Sequence, residues 1–440
     1  GEALSRVLEF CGAATIKDNH IGDWGTQFGY IILGIKKQNF KLEEAGAHAL
    51  PQIEKIYQDT YAASKEDNSI REQARVELVQ LQEGDPENTQ IWNSVNEISR
   101  KAFEDAYEAL GVKFDYTLGE SFYQHHVDRV YRELEELGIA QTSEGALVVF
   151  HPEHPRFKEQ PFIIRKSDGA SNYGSTDLAT VLYRVEEFHA QDIVYLTDAR
   201  QTDHFKQLFL TVDKWFQAKN YPLPCLKHLT FGTVLGEDGK AIKTRDGKPV
   251  RLKDLMTESV ERAKQIIRDK NENPTAQEQA TIAERVGISA LKYADLMQNR
   301  DTNYTFSWEK MLSFDGNTAP YLLYAVVRIK SIFNKAGLEI DSNEYEQEAS
   351  LLDTDEELNL ARQLLLFPSI LQQVMDEWRP HFLCHYLYQL ACQFSSFYNN
   401  NRVMGEASAI QARRLMLCSR TKETLETGLR LLGIEPLEKM

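Results

Sequence analysis

The stretch from Phe162 to Gln207 limits most sharply what this chain can fold into. It opens on a short apolar run, Phe162-Ile163-Ile164, which predicts the end of a buried strand. Ser167-Asp168-Gly169 then reverses the chain. Apolar residues at Leu178, Val181, Leu182 and Val185 recur at helical spacing and predict an amphipathic helix over 178–188. Ile193-Val194-Tyr195-Leu196 predicts a second strand, and a polar turn follows. A strand–helix–strand unit of this kind has parallel-sheet character, and ligands of such sheets sit over the carboxyl ends of the strands. Tyr173 and Asp177 are four residues apart and share one face if the helix begins that early, while Gln201 arrives from the second turn. An aromatic hydroxyl, a carboxylate and an amide carbonyl converging on one cleft suit a guanidinium group. The competing reading of Asp177 is a carboxylate favoured only by the dipole at a helix N-terminus.

A chain of 440 residues exceeds one ordinary core and predicts two or three domains. No apolar run approaches the length needed to span a bilayer, and the first residues carry no visible signal peptide. Five scattered cysteines suit reduced thiols and a cytoplasmic location. The net charge of -16 argues against indiscriminate nucleic-acid binding. That acidity is concentrated: residues 51–110 hold 13 acidic and 6 basic side chains.

Ala14 to Lys17 predicts a strand, and the glycine-rich Asn19–Gly29 leads from it into a helix. Trp24 in that segment reads either as a buried side chain of a tight turn or as a wall of a site. Residues 36–150 read as an insertion, helical to about 110, splitting the two halves of a nucleotide-binding sheet at 1–35 and 151–260. Within the second half, Val234-Leu235 closes a strand and Asp238-Gly239 is a hairpin-type turn. Lys240, Lys243 and Arg245 follow on a loop, the clustered cations that a polyphosphate leaving group requires, although Asp-Gly-Lys turns are commonly plain hairpins. A helical connector over 261–300 and a helical bundle over 301–440 complete the chain, with a new helix expected at Pro320 and an acidic surface loop over 342–355.

Four segments, NHIGDWGTQFG, SDGASNYGSTDLATVLYR, VYLTDARQTDHFKQLF and GTVLGEDGKAIKTRDG, occur in this order, and the chain ends in LLGIEPLEKM. Together they resemble arginyl-tRNA synthetase of the bacterial type, and the resemblance covers essentially the whole chain. It implies a Rossmann-type α/β catalytic domain with a helical insertion, followed by an all-α anticodon-binding domain. It implies ATP-dependent activation of L-arginine to arginyl-adenylate and transfer to tRNA(Arg), with ATP as substrate, Mg2+ accompanying it and no tightly bound metal. A monomer away from any membrane is the expected state. Tyr173, Asp177 and Gln201 become the arginine site; His204, Gly232, Val234, Lys243 and Arg245 the ATP site; Lys240 and Lys243 the catalytic cations, with Lys243–Gly247 the counterpart of the KMSKS loop. Tyr324, Tyr398 and Met440 are implied to contact tRNA. The family's HIGH-type motif does not occur in this sequence, which begins inside a helical pattern. The chain therefore reads as a piece of a longer enzyme, and a non-catalytic tRNA- or arginine-binding fragment is the alternative.

His381, Cys384, His385 and Cys392 lie on one helical face but lack a paired cysteine knuckle, so they read as bundle core rather than a zinc site. His125, His126, His151 and His154 fit surface or turn positions. Tyr321, Tyr324, Phe394, Phe397 and Tyr398 read as core aromatics, one or two of which could be exposed to stack a nucleotide base.

Overall fold

Helix α7 (Tyr173–Glu186) begins five residues earlier than the apolar spacing predicts, because a capping box fixes its start. The Asn172 side chain accepts from the Ser175 amide, and the Ser175 hydroxyl accepts from the Asn172 amide, both at 3.2 Å. Tyr173 is thereby the first helical residue, and Asp177 lies one turn on. The computed structural model of the chain describes residues 1–44, 46–236, 238–240, 242, 250–270, 275–338 and 351–440. These fall into two units.

The unit that holds α7 comprises Ile16–Glu108 and Lys113–His228. Its strands β1 (Ala140–Ser143), β2 (Ala146–Val149) and β3 (Phe162–Arg165) form an antiparallel sheet in that order, with Val149 opposite Phe162. Strand β4 (Asp192–Asp198) pairs instead with β5 (Cys225–Phe231). The strands on either side of α7 therefore belong to different sheets, and the sequence expectation of a paired β3–α7–β4 unit is corrected. The crossover lies one step further along, through α8 (Thr202–Lys219), where the Cys225 amide donates to Gln191 and sets the starts of β4 and β5 side by side.

One core joins these pieces. Leu178, Val181 and Leu182 of α7 pack with Leu208, Val212 and Trp215 of α8, and with Val130 and Leu134 of α6 (Glu120–Glu136). Full burial of each such side chain stabilises by about 1.5–3 kcal/mol. Helix α2 (Gln27–Gln38), which leads into the expected insertion, packs on α3 (Ala49–Glu66) and α4 (Asn68–Gln82) inside it. Gly29 is required there: a Cβ would lie 2.2 Å from the Ala74 carbonyl oxygen. The strand expected at Ala14–Lys17 is absent. Lys17 donates its amide to the Asp115 carboxylate at 2.7 Å, and only an isolated bridge between Asp18 and Tyr116 forms.

The other unit comprises Gly1–Thr15, Ala109–Val112 and Leu229–Met440. Strand β6 (Val234–Leu235) runs parallel to β7 (Tyr304–Thr305), a strand that the helical reading of this region missed. Around them are α9 (Leu252–Lys270), α10 (Ala276–Leu296) and α11 (Trp308–Met311). Helix α12 (Ala319–Ala336) is capped by Thr318, which puts Pro320 second rather than first. It packs on α15 (His381–Asn400) and α16 (Ser408–Leu431), and α13 (Asp355–Leu365) and α14 (Phe367–Glu377) pack on α15 in turn. Glu357 is fully buried there and accepts from Arg413 at 3.1 Å and Arg414 at 2.8 Å, which offsets its desolvation. Most of the expected 342–355 loop lies outside the described residues. No described helix is long and apolar enough to cross a membrane.

Candidate amino-acid site

Asp177 sits at the centre of a polar cluster in the α7 unit. Its side chain is 13% exposed, and one oxygen, Oδ2, lies 2.5 Å from His204 Nε2. Beside an ionised carboxylate that nitrogen must carry the proton and donate. The other oxygen, Oδ1, faces His20 Nε2 at 4.0 Å. Tyr173 is 62% exposed, and its ring meets that of His204 edge-on, with centroids 4.7 Å apart. Gln201 caps α8, exposed and one turn before His204.

Two further elements complete the cluster: the Asn19–Gly29 region, already a possible site wall from sequence, and α6, which the sequence reading did not place there. The segment before α2 supplies Asp18, His20 and Asp23, and α6 supplies Glu120. Asp23 is buried and accepts from the Ser121 amide at 2.8 Å and its hydroxyl at 2.6 Å. Asp18 accepts from Arg184 at 2.8 Å, whose guanidinium lies 5.3 Å from the Tyr195 ring centroid. Burial, with the negative charges of Asp177 and Asp23, pushes the Glu120 carboxyl up to about 7. Burial holds the His20 imidazole below its ordinary value, against the opposing pull of Asp177. The cluster is rich in acceptors and its nearest guanidinium is already paired. It suits a cation.

The structure thus brings Tyr173, Asp177 and His204 into contact and leaves Gln201 at the rim. His204, implied for ATP, touches two of the three residues implied for arginine, Tyr173 and Asp177. Gly232, Val234 and Lys240 belong to the other unit. There the Gly232 amide donates to the Arg300 carbonyl at 2.7 Å, and a Cβ at Gly232 would stand 2.1 Å from the Thr302 oxygen, so this glycine is required for packing. Val234 lies in β6, and the Lys240 amide donates to the Asp238 side chain at 3.1 Å in the expected turn. Lys243 and Arg245 lie outside the described residues.

Among the bundle aromatics, Phe394 and Phe397 are fully buried, whereas Tyr324 and Tyr398 are 40% and 39% exposed. Arg328 lies over the Tyr324 ring at 4.7 Å, and Tyr398 stacks on Phe394. Met440 is half-buried. Cys384 is buried, which pushes its thiol up, and Cys392 lies 3.8 Å from the Tyr321 hydroxyl. Of the surface or turn positions expected for His151, the structure gives the turn: its carbonyl accepts from the His154 amide at 3.0 Å, while its ring is fully buried, 3.2 Å from both Thr211 and Lys214.

The family model described as tRNA synthetases class I (R), catalytic domain, matches residues 1–308, and that described as the DALR anticodon binding domain matches residues 322–440. An arginine–tRNA ligase of Klebsiella pneumoniae is 41% identical over 446 aligned residues, covering all of this chain and 76% of the relative. One of Shigella dysenteriae is 40% identical with the same coverage. The crystal structure of arginyl-tRNA synthetase from Plasmodium falciparum superposes with a TM-score of 0.81 at 32% identity, covering the whole chain and 72% of that one. The Thermus thermophilus arginyl-tRNA synthetase gives 0.82 at 22% identity, covering the whole chain and 78% of that one, a likeness of fold. These matches support the ligase reading over that of a non-catalytic fragment. With a class I catalytic domain followed by a helical anticodon-binding domain, the chain belongs to the arginyl-tRNA synthetases, the class I arginine–tRNA ligases.

Proposed function

We propose that this member of the family selects arginine at the Asp177 pocket, activates it with ATP and transfers it to tRNA(Arg). The observation that carries the assignment is a carboxylate with little exposure, flanked by imidazoles and an exposed tyrosine, in surroundings that are acidic apart from Arg184, itself paired with Asp18. A guanidinium is a planar fork of five donors with a permanent charge, and a carboxylate receives two of those donors at once. Gln201 adds a neutral acceptor from the rim, and Tyr173 a hydroxyl or ring face. Glu120 supplies a second acceptor, which ionises as the cation arrives.

The arginine carboxylate then attacks the α-phosphate of ATP and pyrophosphate leaves. The arginyl group passes from the adenylate to a terminal tRNA hydroxyl, releasing AMP. Neither step needs a protein nucleophile, so positioning and charge stabilisation carry the catalysis. Lys240, Lys243 and Arg245 are proposed to meet the charge that builds on the leaving pyrophosphate. Mg2+ is proposed to arrive on the ATP phosphates, its usual mode of binding. His204, Gly232 and Val234 stay candidates for ATP contact by resemblance, and Tyr324, Tyr398 and Met440 for tRNA. We place the reaction in the cytoplasm and assign it to a monomer.

Charging of tRNA(Arg) with labelled arginine tests the proposal. Arginine-, ATP- and tRNA-dependent formation of arginyl-tRNA, undiminished by excess lysine, supports it. An equal preference for lysine overturns the assignment of the pocket.

A further inference from the structure

We propose that His20 and His204 are positioning residues that clamp the Asp177 carboxylate from both sides and make arginine binding compete with protonation of the clamp. This rests on the reading that Asp177 receives the guanidinium.

The two imidazoles come from separate elements, the segment before α2 and the start of α8, and each presents Nε2 to a different oxygen of Asp177. A carboxylate offers about four acceptor directions. His204 uses one on Oδ2, and His20 stands within a small movement of one on Oδ1, which leaves the remainder for a guanidinium fork. Nδ1 of each ring is buried with no hydrogen-bond partner among the described residues. With Nε2–H aimed at the carboxylate, that Nδ1 is a bare lone pair in the neutral ring and would become an unpaired buried N–H on protonation. Burying an unpaired donor is costly. The clamp is therefore built for neutral imidazoles.

The surroundings set the sign. His20 is faced by Asp18 and Asp23 on its own segment, by Asp177 and Arg184 on α7, and by the Tyr123 ring of α6 at 5.5 Å. Glu120 on α6 and Tyr195 on β4 are coupled to Asp177 as well. His204 is enclosed by the rings of Tyr173, Phe162 and Phe205, with Asp177 as its polar partner. A proton on either imidazole cancels the charge that draws the guanidinium. By linkage, an incoming guanidinium disfavours a proton on the clamp, so arginine affinity falls on the acid side, for His20 below the ordinary imidazole value because burial holds it low.

Glutamine places its amide nitrogen near the position of histidine Nε2 and cannot take a proton, so it separates the clamp from its titration. Arginine affinity is measured by calorimetry between pH 5.5 and 8.0 with tRNA(Arg) present, in a Glu120→Gln background that silences the neighbouring carboxyl. With both histidines in place, affinity should weaken about tenfold per bound proton per pH unit on the acid side. His20→Gln with His204→Gln should bind somewhat more weakly at pH 8.0 but vary less than threefold across the range. His204→Leu should lose more than tenfold at every pH. An acid-side loss of parental size in the double glutamine variant overturns the clamp while leaving the arginine site standing. An Asp177→Asn variant of the same background that binds arginine as well as its parent overturns both.

Discussion

Glu120 shows how a single residue reports the electrostatics of the whole pocket. Its carboxyl is raised from 4.5 to about 7, first by burial and then by Asp177 and Asp23. The folded protein therefore holds a proton there that the unfolded chain gives up near pH 4.5. The resulting contribution to stability is present below pH 4.5 and is lost as pH rises towards 7. Glu120→Gln should accordingly stabilise the fold at pH 8 by on the order of 1–2 kcal/mol after solvent screening, seen as a raised melting temperature, and leave it nearly unchanged at pH 4.5. Thermal melts at the two pH values check this, and an equal effect at both contradicts it. Gln201 makes the contrasting case. An exposed neutral partner at the rim contributes less than a buried charge, so Gln201→Ala should weaken arginine binding by about 1–2 kcal/mol without a change in melting temperature. Calorimetry with arginine measures it. The proximity of Tyr173 and Asp177, which the structure joins through His204, was legible in sequence because they share the first turn of one amphipathic helix. That of His20, Asp23 and Glu120 was not, because only the tertiary fold brings their segments to Asp177. The histidine in Asn19-His20 carried no local signal beyond its neighbouring glycines.

At the scale of elements, periodicity revealed that α7 exists, and chemistry that went unused revealed where it starts. The Asn172–Ser175 pair is a capping signal visible in the sequence. Pairing was less legible. Nothing local in Phe162–Arg165 says that β3 joins β2 rather than β4, since strand partners are chosen by long-range packing. The two-residue strand β7 was hidden for the same reason, in a region of mostly helical sequence. Gly232 gives a test of what holds that small sheet. A methyl group there would collide with the Thr302 backbone at 2.1 Å, which cannot yield as a flexible side chain would. Gly232→Ala should destabilise by about 1–3 kcal/mol, seen as a lower melting temperature. A variant that melts normally but shows a raised KM for ATP would instead favour nucleotide contact as the role of this glycine.

Over the whole molecule, recognition is divided between an acidic pocket in one unit and a helical assembly in the other. On the proposed reading, the assembly's exposed aromatics Tyr324 and Tyr398 serve the tRNA. Tyr324→Ala and Tyr398→Ala should each weaken tRNA(Arg) binding by about 1–3 kcal/mol if each stacks a base, with arginine affinity and melting temperature little changed. A filter-binding titration beside a thermal melt separates this from loss of packing, which would lower the melting temperature and leave tRNA affinity intact. The acidic net charge of -16 fits such a division, since an overall basic coat is not what holds the tRNA. The central claim is that Asp177 supplies the charge by which arginine is chosen, and the most direct measurement of it is arginine affinity in Asp177→Asn with tRNA(Arg) present. Asparagine preserves size and removes charge, so the account predicts a loss of about 2–5 kcal/mol for arginine with the affinity for citrulline, its uncharged analogue, nearly unchanged. Undiminished arginine affinity in this variant, with the preference over citrulline intact, would contradict the account.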